Sequence, residues 1–511
     1  MSGRKRISSA FRQIISHSPS LQTAAILPLL LCGGLSGALY LALTLVFPLP
    51  KYAAHRQLYD LTSLTHYSAW GAILYALLVV ALFGLYWQAW RSLCRAVNGS
   101  HIGSQLSLGI VAVYTVLFAF VLVWLYPINA VDLFQYFFRS RIFVFYHNNP
   151  FVVTPDQFPA DPYLYVVGEW AHISSVYGPA WELLAAGAAW LTRGILTPNL
   201  LVLKGISALF YIGSVLLVYL ILERIAPQQR ISGTLLFAWN PLILLEWIGN
   251  GHNDAVMMLL ILLGIWLWTR KLHMWVLPAL GMAALIKAIA AITLPFFALA
   301  IWLSEPRLSA RLRWLLFSLI LSVLVSMALY APFGLPWRNI NGMLEDTAPY
   351  GFSISATLVL ILYKCIDVSR ARFSPLPMET LRMLRHYAYV VPRWLALAGL
   401  TILYVWQLVL VWKRRQDPII ASLEVFFACV VLTPGYRVWY PSWAMALIAL
   451  RPRWDPFLRV GTACLAAELS GLIYGNWNTL SVLSRHLLGT VFVILLPVLS
   501  PKLWRRIGLR L

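Results

Sequence analysis

Long apolar runs separated by short polar or basic breaks dominate the pattern along this chain, and most runs have the length of a helix that crosses a bilayer. Runs at 24–47, 69–90 and 104–126 open the sequence, 201–222, 232–249, 254–269 and 314–332 follow, and 394–412, 418–432, 441–450, 457–475 and 482–500 close it. Polar residues 1–20 lead into a first run too long for a cleavable signal, so 24–47 is expected to be a membrane helix. Between Lys271 and Arg307 the chain has only about 30 residues in which to go up and return, which predicts two half-length helices with Lys287 at their turn. Broken helices are tolerated at membrane depth only where they line a polar cavity.

Basic clusters orient these runs. Arg4, Lys5, Arg6 and Arg12 place the N-terminus in the cytoplasm, as Lys502, Arg505, Arg506 and Arg510 do the C-terminus. Arg91 and Arg95, Arg224 and Arg230, Arg270 and Lys271, Arg307, Arg311 and Arg313, and Lys413–Arg415 mark further cytoplasmic turns. The segments 127–179, 249–254 and 433–443 are thereby left outside, with 333–393 as a second outer region carrying an apolar stretch at 352–366. Parity then requires 179–196 to be re-entrant or interfacial, against which Arg193 and Lys204 speak. The basic residues between Arg370 and Arg393 speak against an outer 333–393.

Composition removes the soluble alternatives. At 511 residues, 60% hydrophobic and 11% charged, the chain lacks the charge a water-facing surface needs. A net charge of +21 would suggest nucleic acid in a soluble protein. Here Lys and Arg flank apolar runs, the positive-inside pattern, and nucleic acid is not an expected partner. Five scattered cysteines without paired spacing predict neither a disulfide framework nor a metal site. Asn98-Gly-Ser is a glycosylation sequon on the expected cytoplasmic side.

Polar residues in the outer segments carry the candidate chemistry. On a helix continuing from the third run, Asp132, Gln135, Tyr136 and Arg139 share one face. A carboxylate there suits a general base beside arginines that hold an anion; an interfacial Asp132–Arg139 salt bridge is the plain alternative. GNGHND (249–254) crowds Asn250, His252, Asn253 and Asp254 at one helix end, where Asn253 or Asp254 also suits a helix cap. One His and one Asp are too few to propose a metal. Lys287 lies in MAALIKAIAAITLPF, where an unpaired ammonium costs at least about 2.5 kcal/mol; it either snorkels or meets a phosphate. In PGYRVWYPSW an interfacial aromatic belt explains Tyr436, Trp439 and Tyr440, and leaves Arg437 unexplained. Glu424 and Glu468, inside expected spans, are read as helix-to-helix hydrogen bonds or protonated acids.

An outer-loop Asp followed by basic residues and NPF, then YGP, GHND, ALIK and a late PGYRVWY, resembles in order the GT-C glycosyltransferases. It is most similar to the polyprenol-phosphate-mannose-dependent α-mannosyltransferases of bacterial envelopes. The likeness runs over about 104–450, leaving 1–103 as a tail with two extra helices and 451–511 as C-terminal helices with a basic tail. It implies an all-α polytopic fold, a GT-C-like bundle of roughly 12–14 transmembrane helices with a large first outer catalytic loop. It also implies transfer of a hexose, mannose favoured, from a polyprenyl phosphate to a glycan or glycolipid acceptor, by inverting displacement and without a cofactor or metal. Asp132 would be the base; Lys287, Arg437, Arg139 and Arg141 would hold the phosphate. His252, Asn253 and Asp254, with Asn149, Tyr177 and Tyr440, would line the substrate site. The site would face away from the cytoplasm in a plasma (inner) membrane protein, where nucleotide sugars do not reach. A lipid-linked-sugar transporter or flippase is the main rival, though such proteins carry matched repeats that are not evident here. A channel or a noncatalytic glycolipid-binding protein are further alternatives.

Overall fold

The computed structural model describes residues 19–97, 101–334, 352–372, 377–433, 435–451, 454–476 and 481–506. Arg4, Lys5, Arg6, Arg12 and Arg510, the sequon at Asn98, residues 335–351 of the second outer region and Pro434 lie outside the described residues, as do the side chains of Arg95, Arg505 and Arg506.

The protein is an all-α polytopic membrane protein. Among the described residues eight helices are long and apolar enough to cross a bilayer, and Pro227–Ala238 with Pro241–Gly249, bent by 47°, makes a ninth if counted as one span. Five shorter apolar helices pack among them. The exterior is what water would not tolerate. On α11 (Leu308–Tyr330) Leu316, Ile320, Leu324 and Met327 are exposed, and on α13 (Met378–Trp412) so are Trp394, Leu395 and Ile402. The interior is correspondingly polar, with Arg139, Glu182, Lys204, Glu246, His252, Asp254 and Glu468 all buried. Lipid on the outside and paired polar groups within is the arrangement a bilayer imposes.

Helices α1 (Pro19–Val46), α2 (Ala69–Val97) and α3 (His101–Val123) begin the bundle. Leu49 N donates to Trp124 O at 2.8 Å and Tyr126 N to Phe47 O at 2.8 Å, so α1 and α3 end on one face, with α2 returning between them. The chain then breaks. Asp132 opens a separate helix, α4 (Asp132–Val144), instead of riding on an extension of the third span as the pattern suggested. Residues 124–131 must turn here because Ile128 N and Asn129 N both donate to Asn250 Oδ1, at 2.8 and 3.3 Å.

Helix α5 (Pro179–Leu191) has 13 residues, about 20 Å, too short for a full span. Its far end is tied back to α4 by Arg141, which donates to Gly194 O at 2.6 Å, and Trp190 and Leu191 are exposed there. The 30-residue α6 (Leu196–Ile225) then sets out from the face where α1 and α3 end, since Lys204 Nζ donates to Leu125 O. The bent pair brings the chain back through α7 (Arg230–Ala238) and a π turn at Leu244–Gly249, and α8 (Asp254–Thr269) leaves again. Arg224 Nε donates to Thr269 O at 2.9 Å, joining the far ends of α6 and α8.

Two half-length helices, α9 (His273–Ala284) and α10 (Leu294–Ser304), follow as the short interval between Lys271 and Arg307 requires, separated by Lys287 and a 3₁₀ turn at Ala288–Thr293. Helix α12 (Ile354–Arg372) covers the apolar stretch expected at 352–366. The span expected to begin near 394 is continuous from Met378, so the C-terminal part of the proposed 333–393 region belongs to α13. Helices α14 (Pro418–Leu432), α15 (Pro441–Leu450) and α16 (Trp454–Asn476) complete the parts that bear on the site.

Candidate active site

The GNGHND turn builds the floor. A π turn adds a residue to the helical circuit and often marks a functional position; here it lets Asn250 N reach Leu245 O at 2.7 Å and His252 N reach Glu246 O at 3.2 Å. Gly251 has φ +75°, the left-handed region where a side chain is strained, and a Cβ there would lie 2.9 Å from Leu133. This sharp turn carries His252 under Asp132. Neither Asn253 nor Asp254 caps α8 through its side chain, contrary to the capping alternative.

His252 lies between two carboxylates: Nδ1 is 3.1 Å from Asp132 Oδ2, and Nε2 is 3.1 Å from Glu246 Oε2. Its ring packs against Trp439, tilted by 34° with centroids 3.9 Å apart. Burial works to lower the His252 pKa, but the two carboxylates outweigh it and raise it to about 9. Burial likewise works to raise Asp132, and the cations His252, Lys287 and Arg437 overturn that, holding it at about 2. At neutral pH the two form an imidazolium–carboxylate pair. No Asp132–Arg139 salt bridge occurs among the described residues; Arg139 instead donates to Ile173 O at 3.2 Å and lies 5.9 Å from the Tyr177 ring.

Lys287 is placed by the YGP segment. Gly178 N donates to Ile286 O at 2.9 Å and Ala180 N to Leu285 O at 3.0 Å, and a Cβ at Gly178 would lie 2.0 Å from Leu285 O. Only glycine permits this backbone contact, which holds Lys287 extended at φ −150° between α9 and the 3₁₀ turn. Its ammonium reaches Asp254 at 2.9 and 3.1 Å, above the faces of Trp439 and Trp443 at 5.5 and 5.6 Å. Trp443 Nε1 donates to the same carboxylate at 2.5 Å.

These groups surround a partly open cavity of about 70 Å³ lined by Asp132, Arg139, Lys287 and Arg437 together with aromatic side chains that include Tyr177 and Tyr440. Arg437 lies over Trp170 at 5.3 Å. A second cavity of about 230 Å³ adjoins it through Val176, Tyr177, Lys287 and Tyr440, and continues along Ile289, Cys429 and Thr433. Together they approach the lower end of the roughly 300–1,000 Å³ of small-molecule sites. One acid and three cations lining one cavity can hold an anionic group beside a base.

Six of the residues singled out by sequence thus meet: Asp132, Arg139, Tyr177, Lys287, Arg437 and Tyr440. His252 and Asp254 stand directly behind them as partners of Asp132 and Lys287. Asn253 is buried, touching Tyr136 through its backbone N–H at 3.4 Å, and does not line the cavity. Two residues fall elsewhere. Arg141 pairs with Asp161 at 2.7 Å and braces Gly194, and Asn149 donates to Phe333 O at 2.6 Å while accepting from Phe151 N at 2.9 Å. Both brace the outer loop, Arg141 against Asp161 and Gly194 and Asn149 against the turn that follows α11. Glu246 and Trp443 were missed, although an acid in the apolar run LILLEWIGN carries the same signal as Lys287 in its own.

A family model described as alpha-(1->6)-mannopyranosyltransferase, N-terminal domain, of the MptA/B family matches residues 31–303. The match covers Asp132, Arg139, His252, Asp254 and Lys287, and reaches back into α1 and α2, beyond the stretch of sequence resemblance. A search of curated proteins finds no match to the chain. With more than half of its residues matched, the chain belongs to this mannosyltransferase family and is a membrane glycosyltransferase.

Proposed function

We propose that this member of the family transfers mannose from a polyprenyl-phosphate donor to a hydroxyl of a glycan or glycolipid on the extracytoplasmic side, with inversion at the anomeric carbon. The observation that carries this reading is the shared cavity, lined by Asp132 together with Arg139, Lys287 and Arg437. The phosphate sits against those cations, and the polyprenyl chain leaves along the adjoining cavity beside Ile289 and Cys429. Aromatic faces at Trp170, Tyr177, Trp439 and Tyr440 receive the apolar faces of the sugar.

In the reaction the acceptor oxygen forms a bond to C1 while the C1–O bond to phosphate breaks, its electron pair passing to the phosphate oxygen. The acceptor proton goes to Asp132. A carboxylate held at about 2 does not pull a proton from a free hydroxyl. It takes the proton as the new C–O bond forms and the oxygen becomes strongly acidic, and until then its charge stabilises the oxocarbenium-like carbon. His252, pressed between Asp132 and Glu246, aims that carboxylate. The departing polyprenyl phosphate is stabilised by Arg139, Lys287 and Arg437.

The alternation of helix ends supports this sidedness. Arg224 and Arg414 bind the far termini of α8 and α10, opposite the cavity, as Lys and Arg on the cytoplasmic side do. On that side nucleotide sugars are out of reach, which favours a lipid-borne donor.

Reconstitution of the purified protein with defined donors tests this. Transfer from polyprenyl-phosphate mannose, with the opposite anomeric configuration in the product, is expected. Transfer from a nucleoside-diphosphate mannose, or movement of the lipid-linked sugar across the bilayer without transfer, would overturn it.

A further inference from the structure

Behind His252 the polar chain continues into the bundle. Glu246 and Glu468 are fully buried, Glu246 on the π turn and Glu468 on α16. The two carboxyl groups lie close enough to act directly on each other. Glu468 Oε1 also accepts from Tyr75 OH at 2.6 Å and from Asn129 Nδ2 at 3.1 Å. Glu468 Oε2 and Glu246 Oε1 are buried and receive no donor among the described residues. Two carboxylates this close repel unless a proton lies between them, and one proton between Glu468 Oε2 and Glu246 Oε1 would satisfy both.

Resting on the proposed transfer reaction, we infer that Glu246 and Glu468 are positioning residues for it: sharing one proton, they hold His252 as the cation that aims Asp132. The chain runs Tyr75, Glu468, Glu246, His252, Asp132, from the bundle interior to the cavity wall. A lone Glu246 would be a full anion beside His252. Glu468 tempers it, and Tyr75 and Asn129 fix Glu468 in turn. Asn129 precedes Asp132 in the same connecting segment, so the buried pair also anchors the backbone that leads to the catalytic helix.

The other groups facing this chain do not compete for the role. Tyr40, Tyr436 and Cys464 around Glu468 are uncharged, Lys204 packs behind Gly251 with its Nζ on Leu125 O, and Lys287 and Arg437 act on Asp132 from the cavity side. The charge on His252 is therefore set by Asp132 and by Glu246.

The test is the pH profile of transfer over about pH 6–10 for wild type, Glu246→Gln, Glu468→Gln and Asp132→Asn, with donor binding measured on each. Glu246→Gln removes one carboxylate from His252, so the alkaline limb moves down by about one pH unit and kcat falls by about tenfold or more, with donor affinity retained. Glu468→Gln leaves Glu246 a full anion hydrogen-bonded to an amide, so its limb moves up. Opposite shifts support the assignment. Limbs that stay at the wild-type position in the folded variants overturn it and make the pair a helix-to-helix contact. Should Glu246→Gln not accumulate, the Glu468→Gln limb decides alone. Wild-type transfer by Asp132→Asn would instead overturn the catalytic reading itself, whereas an inactive Asp132→Asn with unmoved limbs sinks only the positioning role.

Discussion

The Lys287 ammonium lies 2.9 Å from the Asp254 carboxylate, across 33 residues of chain and a helix break, with Asp254 fully enclosed and Lys287 still partly open to the cavity. That geometry explains how a cation is kept in an apolar setting. Removing one partner strands the other: Asp254→Ala is expected to cost about 3–5 kcal/mol of stability, as for other buried pairs. The double variant Lys287→Met, Asp254→Asn is expected to recover part of that loss while remaining inactive. Thermal unfolding in detergent with a parallel transfer assay separates the two effects.

The imidazolium–carboxylate pair gives a signed pH dependence. The raised His252 contributes stability and carboxylate alignment that are complete below its usual 6.5 and are lost as pH rises through about 9. Asp132, depressed from 3.8 to about 2, contributes above 3.8 and loses its contribution only as pH falls through about 2. Transfer is therefore expected to be flat from mildly acidic pH to about 8 and to decline near 9. The same limb is expected to be absent in whatever activity His252→Gln retains.

Arg139 and Arg141, two residues apart, should part company on substitution. Arg141→Met breaks the pair with buried Asp161 and is expected to lose about 3–5 kcal/mol of stability, with transfer per folded molecule within about threefold of wild type. Arg139→Met opens the cavity wall, and the donor KM is expected to rise about tenfold or more, equivalent to about 1.4 kcal/mol. Donor titrations on the two variants check both statements.

Gly178→Ala carries a methyl into the Leu285 carbonyl, 2.0 Å away, where no side chain can yield. The contact that sets Lys287 must open, so the cost is expected to exceed the about 1–3 kcal/mol of ordinary overpacking. Transfer is expected to fall with it, although the residue touches no substrate. Unfolding temperature and donor affinity, measured together, should both drop.

What the sequence allowed one to read divides along the range of the interactions. A chain of about 30 residues between two basic turns can only be a broken pair, so Lys287 at the break was legible from length alone. Buried ionisable residues in apolar runs are costly, which is why Asp132, Lys287 and Arg437 stood out. Pairings were not legible. Asn250 turning the chain ahead of Asp132, and Asp254 holding Lys287, depend on contacts spanning 122 and 33 residues, for which helical periodicity carries no signal. Arg141 and Asn149 looked like ligands because their partners, Asp161 and the Phe333 carbonyl, come from turns without periodicity.

Asp132→Asn in single-turnover transfer from polyprenyl-phosphate mannose tests the central claim most directly, because amide and carboxylate have the same shape and the His252 contact is preserved in outline. A loss of about 10²–10⁴-fold in rate, with donor affinity within about threefold, is the expected result for a lost base. A rate within about threefold of wild type would contradict it.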